Sequence, residues 1–84
     1  MTDEWEVDDP LTEEMLITSR VIARGRRIRD LQRLLSEYGG TPNRWVKKST
    51  HPLGSAGERL EYHWYEHHGL GCFEVKRVLV DDSP

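Results

Sequence analysis

The fold is decided by residues 59–80, which read RLEYHWYEHHGLGCFEVKRVLV. Apolar and polar side chains alternate from Arg59 to His67, a spacing that is typical of a strand with one buried face. The glycines on either side of Leu70 predict a turn, and residues 72–80 resume the alternation. The segment therefore predicts a β-hairpin, around which the rest of the chain is interpreted.

The segments before the hairpin predict one more strand and a helical region. Trp45 lies at the start of a short predicted strand, 44–50. Residues 11–38 repeat apolar side chains at spacings of three and four, which is the period of a helix. Gly25 predicts a kink or a division into two helices, and Gly39 begins the stop signal.

The predicted fold is a single α+β domain spanning residues 1–84. A long or broken N-terminal helix is expected to pack on a three-stranded, mostly antiparallel sheet. The helical region covers 11–38 and the sheet covers 44–80, between an acidic leader at 1–10 and a polar tail at 81–84. Eighty-four residues leave no room for a second domain of ordinary size.

Charge is segregated along the chain. The formal net charge is −3, yet residues 1–14 hold seven acidic residues and no Lys or Arg, whereas the stretch from Arg20 to Arg59 holds ten basic residues against three acidic ones. This pattern predicts a surface for a polyanion, covered either by the acidic leader or by an acidic partner. A solvated, Arg-rich helix behind a frayed acidic terminus would give the same counts.

Two classes of protein are excluded by composition. No apolar run approaches the roughly 20 residues that span a bilayer, and the N-terminus has no signal-peptide pattern, so neither a membrane protein nor a secreted one is expected. Cys72 is the single cysteine, which rules out an internal disulfide and a multi-cysteine zinc site. A reducing compartment such as the cytoplasm fits this cysteine usage.

The hairpin carries the candidate catalytic residues. If Trp64 faces the helix together with Phe73, strand alternation places His63 on the opposite face with Glu74 and Lys76. Cross-strand neighbours lie about 5 Å apart, so these three polar side chains can meet on one open surface.

This combination of side chains suits metal-independent cleavage of a phosphodiester. One group removes the proton of the ribose 2′-hydroxyl, another protonates the leaving 5′-oxygen, and a cation stabilises the phosphorane. The preceding strand adds Lys47 or Lys48 as a further cation. The alternative is a polar sheet face that carries only ordinary cross-strand ion pairs.

Arginines along the predicted helix form a candidate phosphate-binding flank. A planar guanidinium suits phosphate because it can bind two oxygens at once. With Tyr65 and Trp45 as exposed aromatic candidates, this flank can hold single-stranded RNA by charge and stacking. The predicted RNA-binding residues are Arg26, Arg27, Arg29, Lys48 and Tyr65. The alternatives are a solvated helix face and, for Trp45 and Trp64, packing in the core.

Metal and thiol chemistry are disfavoured by the spacing of the candidate residues. His63 and His67 share strand parity but are about 13 Å apart along an extended strand, too far to hold one zinc ion. Cys72 would need a neighbouring base to act as a nucleophile, and a lone cysteine is more often a small buried apolar residue. No metal and no cofactor is therefore expected.

The order of motifs from about Arg26 to Val80 resembles that of a known protein family. The motifs are Ile28-Arg29-Asp30-Leu31, Tyr38-Gly39-Gly40, Trp45-Val46-Lys47-Lys48, His63-Trp64-Tyr65 with Gly69, and Phe73-Glu74-Val75-Lys76. A helix, a glycine turn, a Trp-Lys strand and a His-Trp-Tyr hairpin ending in Glu-x-Lys resemble the C-terminal toxin modules of bacterial polymorphic and contact-dependent toxin systems. Those modules are similar to small ribonucleases of the barnase–EndoU–colicin–RelE class.

The resemblance implies a role for each residue of the site. His63 is the acid/base candidate and Glu74 is its proton-transfer or orienting partner. Lys76 is implied as the phosphate stabiliser, with Lys47 as a supporting cation.

The sequence thus predicts a metal-independent, toxin-like endoribonuclease that cleaves cellular RNA in the cytoplasm, with tRNA as a candidate substrate. Its expected partners are RNA and an acidic inhibitor or immunity protein. Two other functions fit the same residues. One is a non-catalytic protein-binding module that acts as an inhibitor or adaptor, and the other is an RNA-binding accessory protein that does not cleave.

Overall fold

The computed structural model describes residues 2–6, 11–51 and 59–80. Short 3-10 helices at Gly25–Arg27 and Pro42–Arg44 connect the main elements. Residues 7–10 of the predicted acidic leader and the predicted tail, 81–84, lie outside the described residues. The main elements are β1 (Thr2–Glu6), α1 (Glu13–Thr18), β2 (Arg20–Arg24), α2 (Leu31–Tyr38), β3 (Trp45–Ser49), β4 (Arg59–His67) and β5 (Gly71–Val80).

The strands form one antiparallel sheet in the order β1-β5-β4-β3-β2. The α+β class and the antiparallel hairpin are therefore confirmed. Strand β4 has the predicted bounds, and β5 begins one residue earlier than predicted. The prediction of three strands was wrong, because the described residues contribute two more, one at each edge of the sheet.

Strand β2 replaces the middle of the predicted helical region, 11–38. Its backbone pairs with β3, and the β-branched residues Val21 and Ile22 suit a strand. The apolar residues that predicted a helix before Gly25 are exposed: Ile17 of α1 is 74% exposed, and Val21 and Ile22 of β2 are 41% and 43% exposed. The predicted helix survives as α1 and α2, which have six and eight residues. Neither helix in the described part of the chain is long and apolar enough to cross a membrane.

Strand β1 lies within the predicted acidic leader. It pairs with β5 at the edge of the sheet farthest from β2. A leader that shields the arginines would have to run along the edge of the sheet formed by β2. The backbone of Thr2–Glu6 lies at the opposite edge.

Helix α2 packs on the face of the sheet that carries Tyr65. The core beneath it consists of Ile28, Leu31, Leu34, Trp45 and Tyr65. Burying each large apolar side chain contributes about 1.5–3 kcal/mol. The prediction that α2 covers the Trp64 face was wrong, because alternation along β4 turns Trp64 away from Tyr65. Trp45 and Trp64 are both buried, as the core interpretation predicted.

Candidate active site

The four predicted catalytic residues line one small pocket of about 10 Å³, which has room for roughly one water molecule. Lys47, His63, Glu74 and Lys76 surround it together with Tyr65, and we call this set the central pocket. The structure therefore brings the four side chains together. It places them on the side that α2 partly covers, and not on the open face that was expected from the sequence.

Strand register explains how three of these side chains meet. His63 lies opposite Lys76 of β5 and opposite Ser49 of β3. Lys47 lies opposite Tyr65, two positions along β4 from His63. Paired residues of antiparallel strands project from the same face, so the imidazole and both ammonium groups share one side of the sheet.

A β-bulge brings Glu74 to the same pocket. The register between β4 and β5 shifts between His63 and Tyr65, so that two residues of β5 lie opposite Trp64. Glu74 has a φ angle of 56°, in the left-handed region that costs a non-glycine residue roughly 1–2 kcal/mol. The bulge therefore re-aims the side chain, and other contacts must offset the strain.

Those contacts join Glu74 to α2. The Arg33 guanidinium donates hydrogen bonds of 2.7 and 2.8 Å to the two carboxylate oxygens, and the Tyr38 hydroxyl donates another at 2.8 Å. The Arg33 bonds, followed by the Tyr38 bond, hold the pKa of Glu74 below its ordinary value. Because both oxygens are engaged, Glu74 is better suited to positioning α2 and the bulge than to carrying a proton.

We expect Glu74→Gln to lower the free energy of unfolding at pH 7 by about 1–3 kcal/mol, because the bidentate pair with Arg33 is lost. A carboxyl with a depressed folded pKa contributes stability above its unfolded pKa, about 4.3, and that contribution is lost as pH falls through the folded pKa. The difference between the two proteins should therefore shrink below about pH 4. Thermal melts from pH 8 to pH 2 measure it.

Glu37→Gln is the matched control. Glu37 also contacts Arg33, at 3.2 Å, but its side chain is 50% exposed. Its removal should change stability by less than about 1 kcal/mol, as for exposed ion pairs in general. Equal losses for the two variants would contradict the anchoring role of Glu74.

His63 is held by a carboxylate that the sequence interpretation missed. Its Nε2 lies 2.9 Å from Oε1 of Glu61, and the Ser49 hydroxyl donates to the same oxygen at 3.2 Å. The bond to His63, and then that to Ser49, lowers the pKa of Glu61. The available signal was strand parity, since residues two apart on β4 share a face.

This contact selects a tautomer. An ionised carboxylate accepts but cannot donate, so Nε2 carries the hydrogen and neutral His63 has its free lone pair on Nδ1. Nδ1 is buried, and the described residues provide no hydrogen-bond partner for it. The Glu61–His63 pair thus has the tautomer and orientation of a general base, and its free nitrogen becomes accessible only when the neighbouring side chains move.

Tyr65 serves the core and not an exposed stacking surface. It is 4% exposed, so the prediction of an exposed aromatic was wrong. Its hydroxyl donates to Asp30 Oδ2 at 2.7 Å. That bond is the main cause of the lowered pKa of Asp30. The pKa of Tyr65 is raised, chiefly because the hydroxyl is buried and next because it donates to Asp30. Trp45 is also fully buried, and its indole N–H donates to the Gly39 carbonyl at 3.0 Å.

A groove of about 550 Å³ continues from the central pocket towards β2. It shares Lys47, Tyr65 and Lys76 with the pocket. Its other walls are Ile22, Ala23, Arg27, Ile28, Arg29 and Asp30, and we call it the basic groove. Four cations against one carboxylate leave it positively charged.

The predicted RNA-binding residues are divided among several surfaces. Arg27 and Arg29 line the basic groove, while Arg26 is exposed and shares a neighbouring depression with Arg29. Lys48 points to the opposite face of the sheet, where its Nζ donates to Ser19 Oγ at 3.2 Å and lies 4.0 Å from Glu66.

The described residues give little support to metal binding or to a cysteine nucleophile. In residues 11–51 and 59–79, no three His, Cys, Asp or Glu side chains form a group that could hold a metal ion. His67 is buried, with its Nε2 accepting a hydrogen bond from the Thr41 amide at 2.9 Å. The pKa of Cys72 is raised to about 11, chiefly by partial burial and next by the negative charge of Glu66. This disfavours the thiolate that a nucleophile needs.

Comparison of the chain with protein-family models, curated proteins and solved structures returned no match. The residues of the central pocket and the basic groove are therefore the basis for proposing a function.

Proposed function

We propose that the protein is a metal-independent, toxin-like endoribonuclease that acts on cellular RNA in the cytoplasm. The observation that carries the proposal is the continuity of two features. Lys47, His63 and Lys76 line the central pocket, and this pocket opens into a groove that bears Arg27 and Arg29. A phosphodiester backbone is a polyanion that matches the groove, and the pocket supplies a base beside two cations.

In the proposed reaction, RNA binding displaces the side chains that cover Nδ1 of His63, which is buried in the free protein. Nδ1 then removes the proton of a ribose 2′-hydroxyl while Glu61 holds the imidazole and stabilises its charged form. The 2′-oxygen attacks phosphorus and the bond from phosphorus to the 5′-oxygen breaks. The phosphate lies in the basic groove beside Lys47 and Lys76, which offset the charge of the phosphorane, and one of the ammonium groups supplies the proton of the leaving oxygen. The products are a 2′,3′-cyclic phosphate and a 5′-hydroxyl.

Glu74 has a supporting part in this proposal. Its bonds to Arg33 and Tyr38 hold the β-bulge next to Lys76, so it positions the cation without touching the substrate. The charge segregation of the chain further supports an acidic inhibitor or immunity protein as the partner that covers the basic groove.

A second candidate is an RNA-binding accessory protein that does not cleave. The observation in its favour is that both carboxylates beside the basic groove are already bound, Asp30 by Tyr65 and Glu74 by Arg33. The charge of the groove would then serve affinity alone.

We expect the purified protein to cleave bulk tRNA or total RNA in EDTA and to leave fragments that end in 2′,3′-cyclic phosphate. Gel analysis measures this, because phosphatase shifts such fragments only after dilute acid has opened their cyclic ends to monophosphates. Cleavage that disappears in EDTA would contradict the metal-independent mechanism. Salt-sensitive RNA binding by folded protein without any product would favour the accessory protein.

A further inference from the structure

A second basic pocket lies on the other side of the sheet. It has a volume of about 330 Å³, and Val46 forms part of its floor. We call it the reverse pocket, and the residues that define its chemistry are Arg24, Arg44, Val46, Lys48, Glu66 and His68. None of these lines the central pocket or the basic groove, and of this set only Lys48 was predicted from the sequence as an RNA-binding residue.

Register shows that the reverse pocket is built from one face. Val46 lies opposite Arg24 of β2 and opposite Glu66 of β4. Lys48, two positions along β3, lies opposite Val21 and Trp64. Alternation therefore separates this set from Lys47 and Tyr65, which line the basic groove on the other face.

The reverse pocket has unmatched positive charge. Glu66 is satisfied within the fold, because it accepts a hydrogen bond from the Trp64 indole at 3.2 Å and lies 4.0 Å from the Lys48 ammonium. Arg24 and Arg44 are exposed, and the described residues place no carboxylate within ion-pair distance of either. Two exposed guanidinium groups beside a shallow, partly apolar floor suit a phosphate and its ribose.

The two basic surfaces meet at the edge of the sheet. Strand β2 is the last strand on its side, and its successive residues Ala23 and Arg24 line the basic groove and the reverse pocket respectively. Ile22, 43% exposed, forms the groove wall at this edge. A strand of RNA that leaves the groove therefore has only the width of β2 to cross before it reaches Arg24 and Arg44.

We infer that the reverse pocket binds a phosphate of the same RNA strand whose scissile phosphate lies beside Lys47 and Lys76 in the basic groove. This inference rests on the proposed function and extends it, since it makes the protein a reader of RNA longer than the groove itself. An RNA that fits the groove alone gains nothing from Arg24 and Arg44, whereas a longer RNA gains two phosphate contacts. Length dependence is thus the property that distinguishes this surface from a general positive charge.

The experiment measures binding of 2′-O-methyl oligonucleotides, which have no free 2′-hydroxyl and so are not cleaved. A four-nucleotide and a sixteen-nucleotide oligomer are titrated by fluorescence anisotropy over a range of salt concentrations. The variant Arg24→Ala/Arg44→Ala should bind the long oligomer about tenfold more weakly at low salt, with a salt slope smaller by about 1.4, and bind the short one within about twofold of wild type.

The control variant Arg59→Ala/Arg77→Ala removes the same charge from the far end of β4 and β5. It should leave the affinity for both oligomers within about twofold of wild type. An equal loss in the control, or a loss that is the same for both lengths, would overturn the inference. No change for either oligomer would also overturn it.

Failure of the proposed function gives a different result. In that case the wild-type protein does not cleave RNA, whether or not it binds the four-nucleotide oligomer. Failure of the inference alone leaves both activities intact and removes only the length-dependent effect of Arg24 and Arg44.

Discussion

His63→Ala is expected to abolish RNA cleavage while the protein remains folded. Loss of a general base typically slows a reaction by about 10²–10⁴-fold, and here the imidazole is the only base we assign to the central pocket. His63 is partly exposed and is bound through one side-chain contact, to Glu61, so its removal leaves the core beneath α2 in place. Initial rates on a defined RNA, together with thermal melts, measure both properties.

Three variants make the result specific to His63. His51→Ala removes an exposed histidine just after β3, and it should cleave at the wild-type rate. Glu61→Gln keeps the size of the orienting residue but removes its charge, so it should lower the rate less than His63→Ala and shift the pH profile of cleavage. RNA binding by His63→Ala should stay within about threefold of wild type because Arg27 and Arg29 remain.

The contrary outcomes are equally specific. If His63→Ala cleaves as well as wild type, the assignment of the base is wrong. If its melting temperature falls by more than about 8 °C, roughly 2 kcal/mol for a domain of this size, His63 is a structural residue. If Glu61→Gln changes the rate without changing the pH profile, the orienting role of Glu61 fails.

Gly40→Ala is expected to produce the largest loss of stability among single substitutions in the turn after α2, about 2–5 kcal/mol. Gly40 has a φ angle of 87°, which strains an alanine by roughly 1–2 kcal/mol. A Cβ there would also lie 2.5 Å from Nε2 of His67. That ring cannot move away easily, because it is buried against Trp45 and accepts a hydrogen bond from Thr41. Overpacking of this kind adds roughly 1–3 kcal/mol.

Gly39→Ala separates the two causes. Gly39 also has a positive φ angle, 81°, but a Cβ there would meet no atom within 4 Å. It should therefore lose only the strain component and remain more stable than Gly40→Ala by about 1–3 kcal/mol. Chemical denaturation of both variants measures the difference. Equal losses would show that the close approach to His67 has no energetic weight.

A double-variant cycle tests the contact directly. In a His67→Ala background the ring that Cβ would strike is absent, so the further loss caused by Gly40→Ala should fall to that of Gly39→Ala in the wild type. An unchanged loss in this background would contradict the steric explanation and leave backbone strain as the whole effect.

The sequence predicted correctly those elements that are marked by a pattern of neighbouring residues, such as alternation or a glycine stop. The bounds of β4 follow from alternation, and α2 ends where Gly39 begins a backbone conformation that favours glycine. Strand β2 was mistaken for helix because spacings of three and four occurred there by coincidence. What makes it a strand is pairing with β3, a contact between residues more than 20 positions apart that no local period records.

The candidate site was predicted in part for the same reason. Parity along β4 correctly placed Glu61, His63 and Tyr65 on one face, and Glu61 could have been named as the partner of His63 from that parity alone. The anchoring of Glu74 could not, because it needs Arg33 of a separate element and an unusual φ angle at a non-glycine residue. The burial of Tyr65 likewise depends on where α2 lies.

The sequence by itself determined the α+β class, the hairpin, the end of α2 and the set of chemical groups that the site can contain. Only the tertiary structure decided which face α2 covers, since Trp64 offers apolar surface on one face and Trp45 with Tyr65 offers it on the other. On β5, the bulge at Glu74 determines which side chains face α2. It inserts one residue, so that Phe73 faces the same side as Tyr65 and Lys76 the same side as His63. Beyond a bulge, odd- and even-numbered side chains exchange faces of the sheet. The position of the bulge is set by strand pairing and packing, so the alternation of residues in the sequence does not reveal it.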